Sequence, residues 1–329
     1  MTPAMTLAHA LTARDNDHTG LTAAFTARAG LGWHQPTPAS AAAGTAVSVV
    51  IPARDNAYSL RGVLDALARQ DTSGTVQVIV IDDASSDSTA TIARLHPAVD
   101  TACRLPEPVG VAAARNLGAY LADTDTVVFL DPDMVLTPHA LADIGARAHP
   151  GLLLAGFRHR VPYQPGPHLR AETPTSEPDL AADERVHWSH LRPLDDTRDF
   201  IDLGHAAHYF NLDLPAMVDP ALIAAPRAAI AYVGGFEPGW TASGTGLEGA
   251  HLGATLIAAG CKVAPLRQLR AWCINPPDAG RQRQLTASDT PARVAYYRHL
   301  LDQPAPSTSR ETDFTARAKH LLDRAQVLR

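Results

Sequence analysis

Lysine is nearly absent from this chain of 329 residues: Lys262 and Lys319 stand alone, and almost every other basic residue is arginine. That skew, like the heavy use of alanine, reads as compositional bias. Basic surplus is missing too. The net charge is −6 and the pI about 6.2, against a nucleic-acid binder, which usually carries an excess of positive charge. Cysteine is scarce: Cys103, Cys261 and Cys273 are odd in number and widely spaced, so neither a disulfide framework nor a CxxC zinc site is legible. A reducing compartment suits such usage. The first thirty residues lack a basic start followed by an apolar core, so no secretory leader is expected. No apolar run reaches the roughly 18 residues of a membrane span. The expectation is a cytoplasmic protein without a transmembrane segment or a nucleic-acid partner. Hydrophobic residues at 46% and charged residues at 19% suffice for a buried core.

What is present begins at residue 46. Residues 1–45 form an Ala/Thr-rich N-terminal extension with a helical candidate at Leu21 to Leu31 and a loop from Gln35 to Gly44. Val47 to Ile51 is then a short β-branched apolar run closed by Pro52, which predicts a buried strand. Leu60, Val63, Leu64 and Leu67 recur at helical spacing. A strand follows at Val76 to Ile81, a helix opened by Asp87 as N-cap, a helix at Val111 to Leu121, a strand at Val127 to Leu130, a helix at Thr137 to Ala148 and a strand at Leu152 to Phe157. Alternation of this kind means an α/β fold with a mostly parallel sheet covered on both faces. Ligands then bind at the carboxyl ends of the strands. Polar clusters fall at those ends: Pro52 to Asn56, Asp82 to Asp87, and Asp131 to Asp133.

Residues 158–215 lose the alternation and carry six histidines without metal-ligand spacing. Regular structure resumes at Ala221 to Ala225, followed by the Gly234-Gly235-Phe236 turn, a helix at about Leu247 to Ala259 stopped by Gly260, and strand candidates at Lys262 to Pro265 and Leu269 to Ile274. The tail from Asp289 reads as two helices around a loop at Gln303 to Ser309. The division is thus 1–45, 46–288 (with halves 46–157 and 158–288) and 289–329.

The first strand is followed by Pro52-Ala53-Arg54-Asp55-Asn56. There is no GxGxxG fingerprint and no GxxxxGK[ST] loop, which excludes an ordinary dinucleotide-binding unit or P-loop nucleotidase. Phe129-Leu130-Asp131-Pro132-Asp133 places two carboxylates two residues apart at a strand end. Their like charges repel unless a cation or hydrogen-bond donors offset them, and a hard cation bridging a diphosphate takes one or two carboxylates. Asp-Pro-Asp is equally good turn chemistry.

The runs Val47 to Pro52, Val80 to Thr89, Gly110 to Gly118 and Phe129 to Asp133 together resemble family 2 glycosyltransferases of the GT-A fold, in order and spacing. The likeness is strong over roughly residues 46–160 and weaker over 220–265. It implies a GT-A type α/β fold: a Rossmann-like sheet flanked by helices, with an acceptor-side insertion and C-terminal helices. It implies an inverting enzyme that moves a sugar from a nucleoside-diphosphate sugar, typically a UDP-sugar, to an acceptor hydroxyl. Under that resemblance Pro52, Ala53 and Arg54 line the base and ribose, Asp83 accepts from the base, and Asp82 supports its loop. Gly110, Arg115 and Asn116 lie near ribose or diphosphate. An ion pair with a nearby carboxylate is the other reading of Arg115. Asp131 and Asp133 resemble the DXD motif that holds Mg²⁺ or Mn²⁺ against the diphosphate, with Asp131 also counted toward the nucleotide. Gly235 and Phe236 lead to the acceptor, with Trp240 shaping its pocket.

The match then degrades. Where the family often shows Glu-Asp-x-Asp-Leu, this chain has Glu248-Gly249-Ala250-His251-Leu252. Glu248 is the candidate base, and His251 sits one turn along the same face. No histidine occurs at Ala271 to Pro277, where metal-dependent relatives often supply one; Cys273 and Asn275 occupy that stretch. Two alternatives follow: a non-catalytic nucleotide-sugar-binding protein, or a sugar nucleotidyltransferase, which would need a basic Gly-rich loop that is missing here.

Overall fold

The computed structural model describes residues 5–42, 44–161, 214–240, 247–274 and 291–329. Most of the insertion with its histidines, and Asn275, lie outside the described residues. The described strands are β1 (Ala46–Ala53), β2 (Thr75–Asp82), β3 (Thr101–Arg104), β4 (Thr126–Leu130), β5 (Met134–Leu136), β6 (Leu152–Val161), β7 (Leu222–Pro226), β8 (Lys262–Ile274) and β9 (Gln326–Val327). They form one sheet in the order β5-β8-β6-β7-β4-β1-β2-β3-β9. The pairs β1–β2, β1–β4, β2–β3 and β6–β8 are parallel. β7, β5 and β9 run against their neighbours. Six of the nine strands therefore point the same way, as the alternation of elements predicts.

The helices are α1 (Leu7–Thr12), α2 (Thr19–Ala29), α3 (Leu60–Ala68), α4 (Thr89–Leu95), α5 (Val111–Leu121), α6 (Ala140–Arg147), α7 (Arg227–Val233), α8 (Glu248–Ala258), α9 (residues 291–301) and α10 (Glu311–Arg324). Strand alternation splits the core in two. Val50, Ile79, Ile81 and Phe129 face α5, α7, α8 and α10, while Val49, Ile51, Val80 and Val128 face α3, α4 and α6. Helix α5 lies very close to β1: a Cβ on Gly118 would stand 2.2 Å from Val50 Cγ1. Glycine at that position sets how near α5 comes to the sheet.

Three strands escape sequence reasoning. β3, β5 and β9 are two to four residues long, too short for a period, and exist through their long-range pairing. The two candidates in 262–274 are one strand, whose pairing with β6 shifts register between Ala155 and Phe157. Ser88, not Asp87, is the N-cap of α4; the Asp87 carboxylate instead accepts from the Thr89 N–H and from the Ala57 N–H.

Residues 5–42 pack tightly on the rest of the fold. Arg147, buried in α6, donates to the carbonyls of Trp33, Gly32 and Gln35, to Thr37 Oγ1 and to Asp143 Oδ1. Its guanidinium also lies 4.5 Å from the centre of the Phe25 ring. Burial pushes the Asp143 carboxyl up, opposed by its hydrogen bonds to Thr37 and the charge of Arg147. Trp33 Nε1 donates to the Pro265 carbonyl, and Asn16 exchanges two hydrogen bonds with Val263. Removing one partner of a buried ion pair strands the other. Arg147→Ala is therefore expected to lower the unfolding free energy by about 3 kcal/mol, measured by urea denaturation. An unchanged midpoint would show that α6 does not anchor the N-terminal segment.

Candidate active site

The strand order 3-2-1-4 reverses direction of growth at β1, so a crevice forms at the carboxyl ends of β1 and β4. Pro52 has no N–H to donate, and the pairing of β1 with β4 ends at Val50–Phe129, so the strand tips part there. Pro52 and Ala53 are buried at this tip and Arg54 is exposed beyond it.

The loops after β1 and β2 are laced together. The Asp55 carboxylate accepts from the N–H and hydroxyl of Ser86, the Asp55 N–H donates to Ser85 Oγ, and the Asn56 N–H donates to Thr89 Oγ1. Asp55 and Ala84 take left-handed backbone with φ 54° and 57°, a conformation that costs a non-glycine residue of order 1 kcal/mol and is held here by these bonds. Asp82 is fully buried; its carboxylate accepts from the Ser85 N–H and lies 3.5 Å from Arg104 Nε. Burial pushes its pKa up. Asp83 accepts the N–H groups of Val109 and Gly110 at 2.7 and 3.0 Å. It thereby ties the end of β2 to the start of α5 and keeps spare lone pairs for a further donor.

The centre of the site is Arg115. It projects from α5, is 1% exposed, and divides its terminal nitrogens between two carboxylates. Nη2 lies 2.7 Å from Asp131 Oδ1, and Nη1 lies 3.0 Å from Glu248 Oε1. The guanidinium also sits over the Phe236 ring, 5.5 Å from its centre. Glu248, at 2% exposure, is the first residue of α8, where a carboxylate also meets the positive end of the helix. The Asp131 side chain is 30% exposed and so faces both the buried arginine and the crevice. Burial pushes its carboxyl up and the charge of Arg115 opposes this. The ion-pair reading of Arg115 is the one observed.

Asn116 is likewise redirected. Its Nδ2 donates to the Phe236 carbonyl and its Oδ1 accepts from the Phe236 N–H, both at 2.8 Å. Its amide holds the Gly-Gly-Phe turn. Gly235 has φ +72°, and a Cβ there would lie 2.3 Å from Asn116 Oδ1 and 2.9 Å from the Phe314 ring. Phe236 is fully buried with its ring against Phe129. Gly235 and Phe236 therefore brace the site from within. Trp240 is also buried, edge-on to Tyr296 with ring centres 4.8 Å apart. His251 is buried on α8; burial first, and then the charge of Arg310, lower its pKa to about 4. A neutral imidazole at physiological pH is a poor partner for Glu248.

Asp133 is half-buried, with Cys273 Sγ 3.6 Å from its Oδ2; burial first, and then the charge of Asp133, raises the Tyr58 phenol. Among the described residues no group of three His, Cys, Asp or Glu side chains is placed to hold a metal. A cation that takes one or two carboxylates and completes its shell with diphosphate oxygens fits the half-buried pair Asp131 and Asp133. Sequence reasoning missed Arg158 of β6 and Asp219, a pair at 3.2 Å whose charges also act on Asp131. Neither lies in a recognisable motif; only the position of Arg158 at the end of a strand hinted at it. No described helix is long and apolar enough to cross a membrane.

Residues 48–177 match the family model described as Glycosyl transferase family 2, and that part of the chain belongs to this family. Validoxylamine A glucosyltransferase of Streptomyces hygroscopicus subsp. jinggangensis is 30% identical over 250 residues, which are 70% of this chain and 55% of that protein. The 4,4'-diaponeurosporenoate glycosyltransferase of Staphylococcus haemolyticus is 35% identical over 133 residues, 38% of this chain and 35% of the relative. The chain thus spans about half or less of the length of the curated relatives it matches. Among solved structures, S. aureus TarS in complex with UDP gives a TM-score of 0.48 at 17% identity, covering 78% of this chain and 69% of that one. A mannosyltransferase from Pyrobaculum calidifontis in complex with GDP-Man and Mn²⁺ gives 0.47 at 20% identity, covering 96% and 85%.

Two outcomes follow from this geometry. Asn116→Ala leaves the Phe236 N–H and carbonyl buried without partners, so a loss of about 2 kcal/mol is expected; an unfolding midpoint equal to the parent's would refute the brace. His251 favours its neutral form in the fold, with a pKa of about 4 against an ordinary value of 6.5. Its contribution is therefore complete above pH 6.5 and is lost as pH falls toward 4, by up to about 3 kcal/mol. His251→Gln should flatten the decline of stability across that window, as followed by denaturation at stepped pH.

Proposed function

We propose that this protein is a glycosyltransferase that moves a sugar from a nucleoside-diphosphate sugar, a UDP-sugar in the first instance, to an acceptor hydroxyl. The observation that carries this reading is the Asp131–Arg115–Glu248 cluster at the crevice between β1 and β4. It joins a carboxylate suited to a cation-bridged diphosphate to a second carboxylate suited to take a proton. The family match over residues 48–177 and the glycosyltransferase names of the relatives support it.

In this mechanism the base and ribose lie against the laced loops at Pro52 to Arg54 and at Asp82 and Asp83, with the Gly110 turn beside them. Asp131 and Asp133 would hold Mg²⁺ or Mn²⁺, which when bound neutralises charge on the departing diphosphate. The acceptor oxygen attacks the anomeric carbon in line, the bond from that carbon to the diphosphate oxygen breaks, and the leaving group departs with the electron pair. Configuration inverts. Glu248 accepts the hydroxyl proton, and Arg115 supplies the counter-charge that allows a carboxylate to sit so deep. Fixed orientation of donor and acceptor provides much of the rate. Trp240 acts from behind the acceptor pocket through its contact with Tyr296. The three cysteines are buried and form no disulfide with one another.

The test is a thermal-shift screen of nucleoside diphosphates and their sugars with and without Mn²⁺, followed by transfer assays with the binding donor. Ligands that bind the folded state raise its apparent stability. Glu248→Gln should keep donor binding and lose at least about a hundredfold in transfer rate. No shift with any sugar nucleotide would refute the reading, and binding without transfer by the parent protein would favour the non-catalytic alternative.

A further inference from the structure

Acid collects around Asp131: the charge of Asp219 acts on it, and Arg115 joins it to Glu248. A diphosphate adds more negative charge, which a cationic side chain at this edge would offset alongside a cation held by Asp131 and Asp133. Arg115 cannot serve, since it is 1% exposed with Asp131 and Glu248 on its two terminal nitrogens. Arg104 belongs to the far side, where Nη2 donates to the Ser85 carbonyl and Nε faces Asp82.

Arg158 is placed otherwise. β6 is antiparallel to β7, which is antiparallel to β4, so β6 runs in the direction of β4 and Arg158, in its C-terminal half, approaches the same edge as Asp131. Two strand spacings, about 10 Å, separate the two strands, and Asp219 spans that interval. Arg158 Nη1 lies 3.2 Å from Asp219 Oδ2. Asp219 Oδ1 accepts from the Ala221 N–H, and the Ala221 carbonyl accepts from the Asp131 N–H. One backbone residue thus links the Arg158–Asp219 pair to the tip of β4. The pair is also more open than the structural pair of the fold: Arg158 and Asp219 are each 14% exposed, whereas Arg147 and Asp143 are 0% and 1%.

Taking the nucleotide-sugar reading as given, we propose that Arg158 binds the donor diphosphate, exchanging the Asp219 carboxylate for phosphate oxygens. Asp219 is the resident counter-ion: it holds the guanidinium at the edge and is displaced by a stronger anion. A planar guanidinium matches phosphate in a two-pronged way that a lysine cannot reproduce. On exchange Asp219 loses its ion pair but keeps the hydrogen bond that its Oδ1 accepts from the Ala221 N–H.

The experiment titrates wild type, Arg158→Gln, Arg158→Lys and Asp219→Asn with UDP and UMP, or with whichever diphosphate and monophosphate pair the wild type binds. Arg158→Gln is expected to weaken the diphosphate about tenfold while moving the monophosphate much less, and Arg158→Lys to recover part of the loss. Asp219→Asn removes the competing charge and should bind the diphosphate as tightly as wild type or more so. If Arg158→Gln does not fold, Asp219→Asn carries the test, and weaker diphosphate binding there overturns the proposal. Equal losses for diphosphate and monophosphate, or none for either, in a folded Arg158→Gln also overturn it. A wild type that binds no nucleoside diphosphate refutes the nucleotide-sugar reading itself, which is a separate result from a wild type that binds and a variant that binds equally.

Discussion

A guanidinium buried between two carboxylates organises this molecule. Burying an unpaired charge is so unfavourable that Arg115 and Glu248 could not both sit in the interior without their partners. Arg115 can occupy the interior because Asp131 and Glu248 meet its terminal nitrogens at 2.7 and 3.0 Å; Glu248 can be nearly sealed from water because Arg115 is there. The three come from different parts of the chain: the middle of α5, the end of β4 and the start of α8. Their meeting fixes the distance between the tip of β4 and the helix that carries the candidate base. Gly118 contributes from below by letting α5 settle on Val50. Phe236 closes the guanidinium from another side and is itself pinned by Asn116.

Around this centre the fold is braced from both termini. The C-terminal helix α10 presses Phe314 against Gly235 and donates from Arg317 to the Gly234 carbonyl. β9 completes the far edge of the sheet beside β3, with Arg324 reaching Glu107. The N-terminal segment is sewn down by Arg147 on the opposite face, and Arg14 and Asn16 bind carbonyls at the end of α8 and the start of β8. The chain ends therefore help to hold α5, α8 and β8 where the site needs them, although neither end carries a residue assigned to the chemistry.

Much of the fold was legible because periodicity records burial. Val47 to Ile51, Val76 to Ile81 and Val127 to Leu130 lie in the middle of the sheet, and such strands read as nearly continuous apolar runs, here interrupted only by Ser48 and Gln77. The acidic residues that interrupt them, Asp82, Asp83 and Asp131, mark the edge where backbone leaves the sheet. The site was legible as a set of positions, less so as a set of roles. The family resemblance set Arg115 and Asn116 near ribose or diphosphate, with an ion pair as the other reading of Arg115. The structure spends one on ion pairs and the other on a turn, because a helix packed this closely turns those positions inward. Gly235 and Phe236 read as a path to the acceptor for the same reason that they are fixed in place: a tight glycine turn is needed, here to clear Asn116 and Phe314.

The sequence by itself determined the layering, the direction of the main strands and the edge where polar chemistry collects, since these follow from local pattern and from which residues tolerate water. Tertiary structure decided the partners. Which carboxylate meets Arg115, whether Glu248 and His251 are buried, and that Arg158 and Asp219 lie beside Asp131 depend on contacts between residues up to 133 positions apart. A charge in a chain has no preferred partner until packing removes the water that would otherwise screen it.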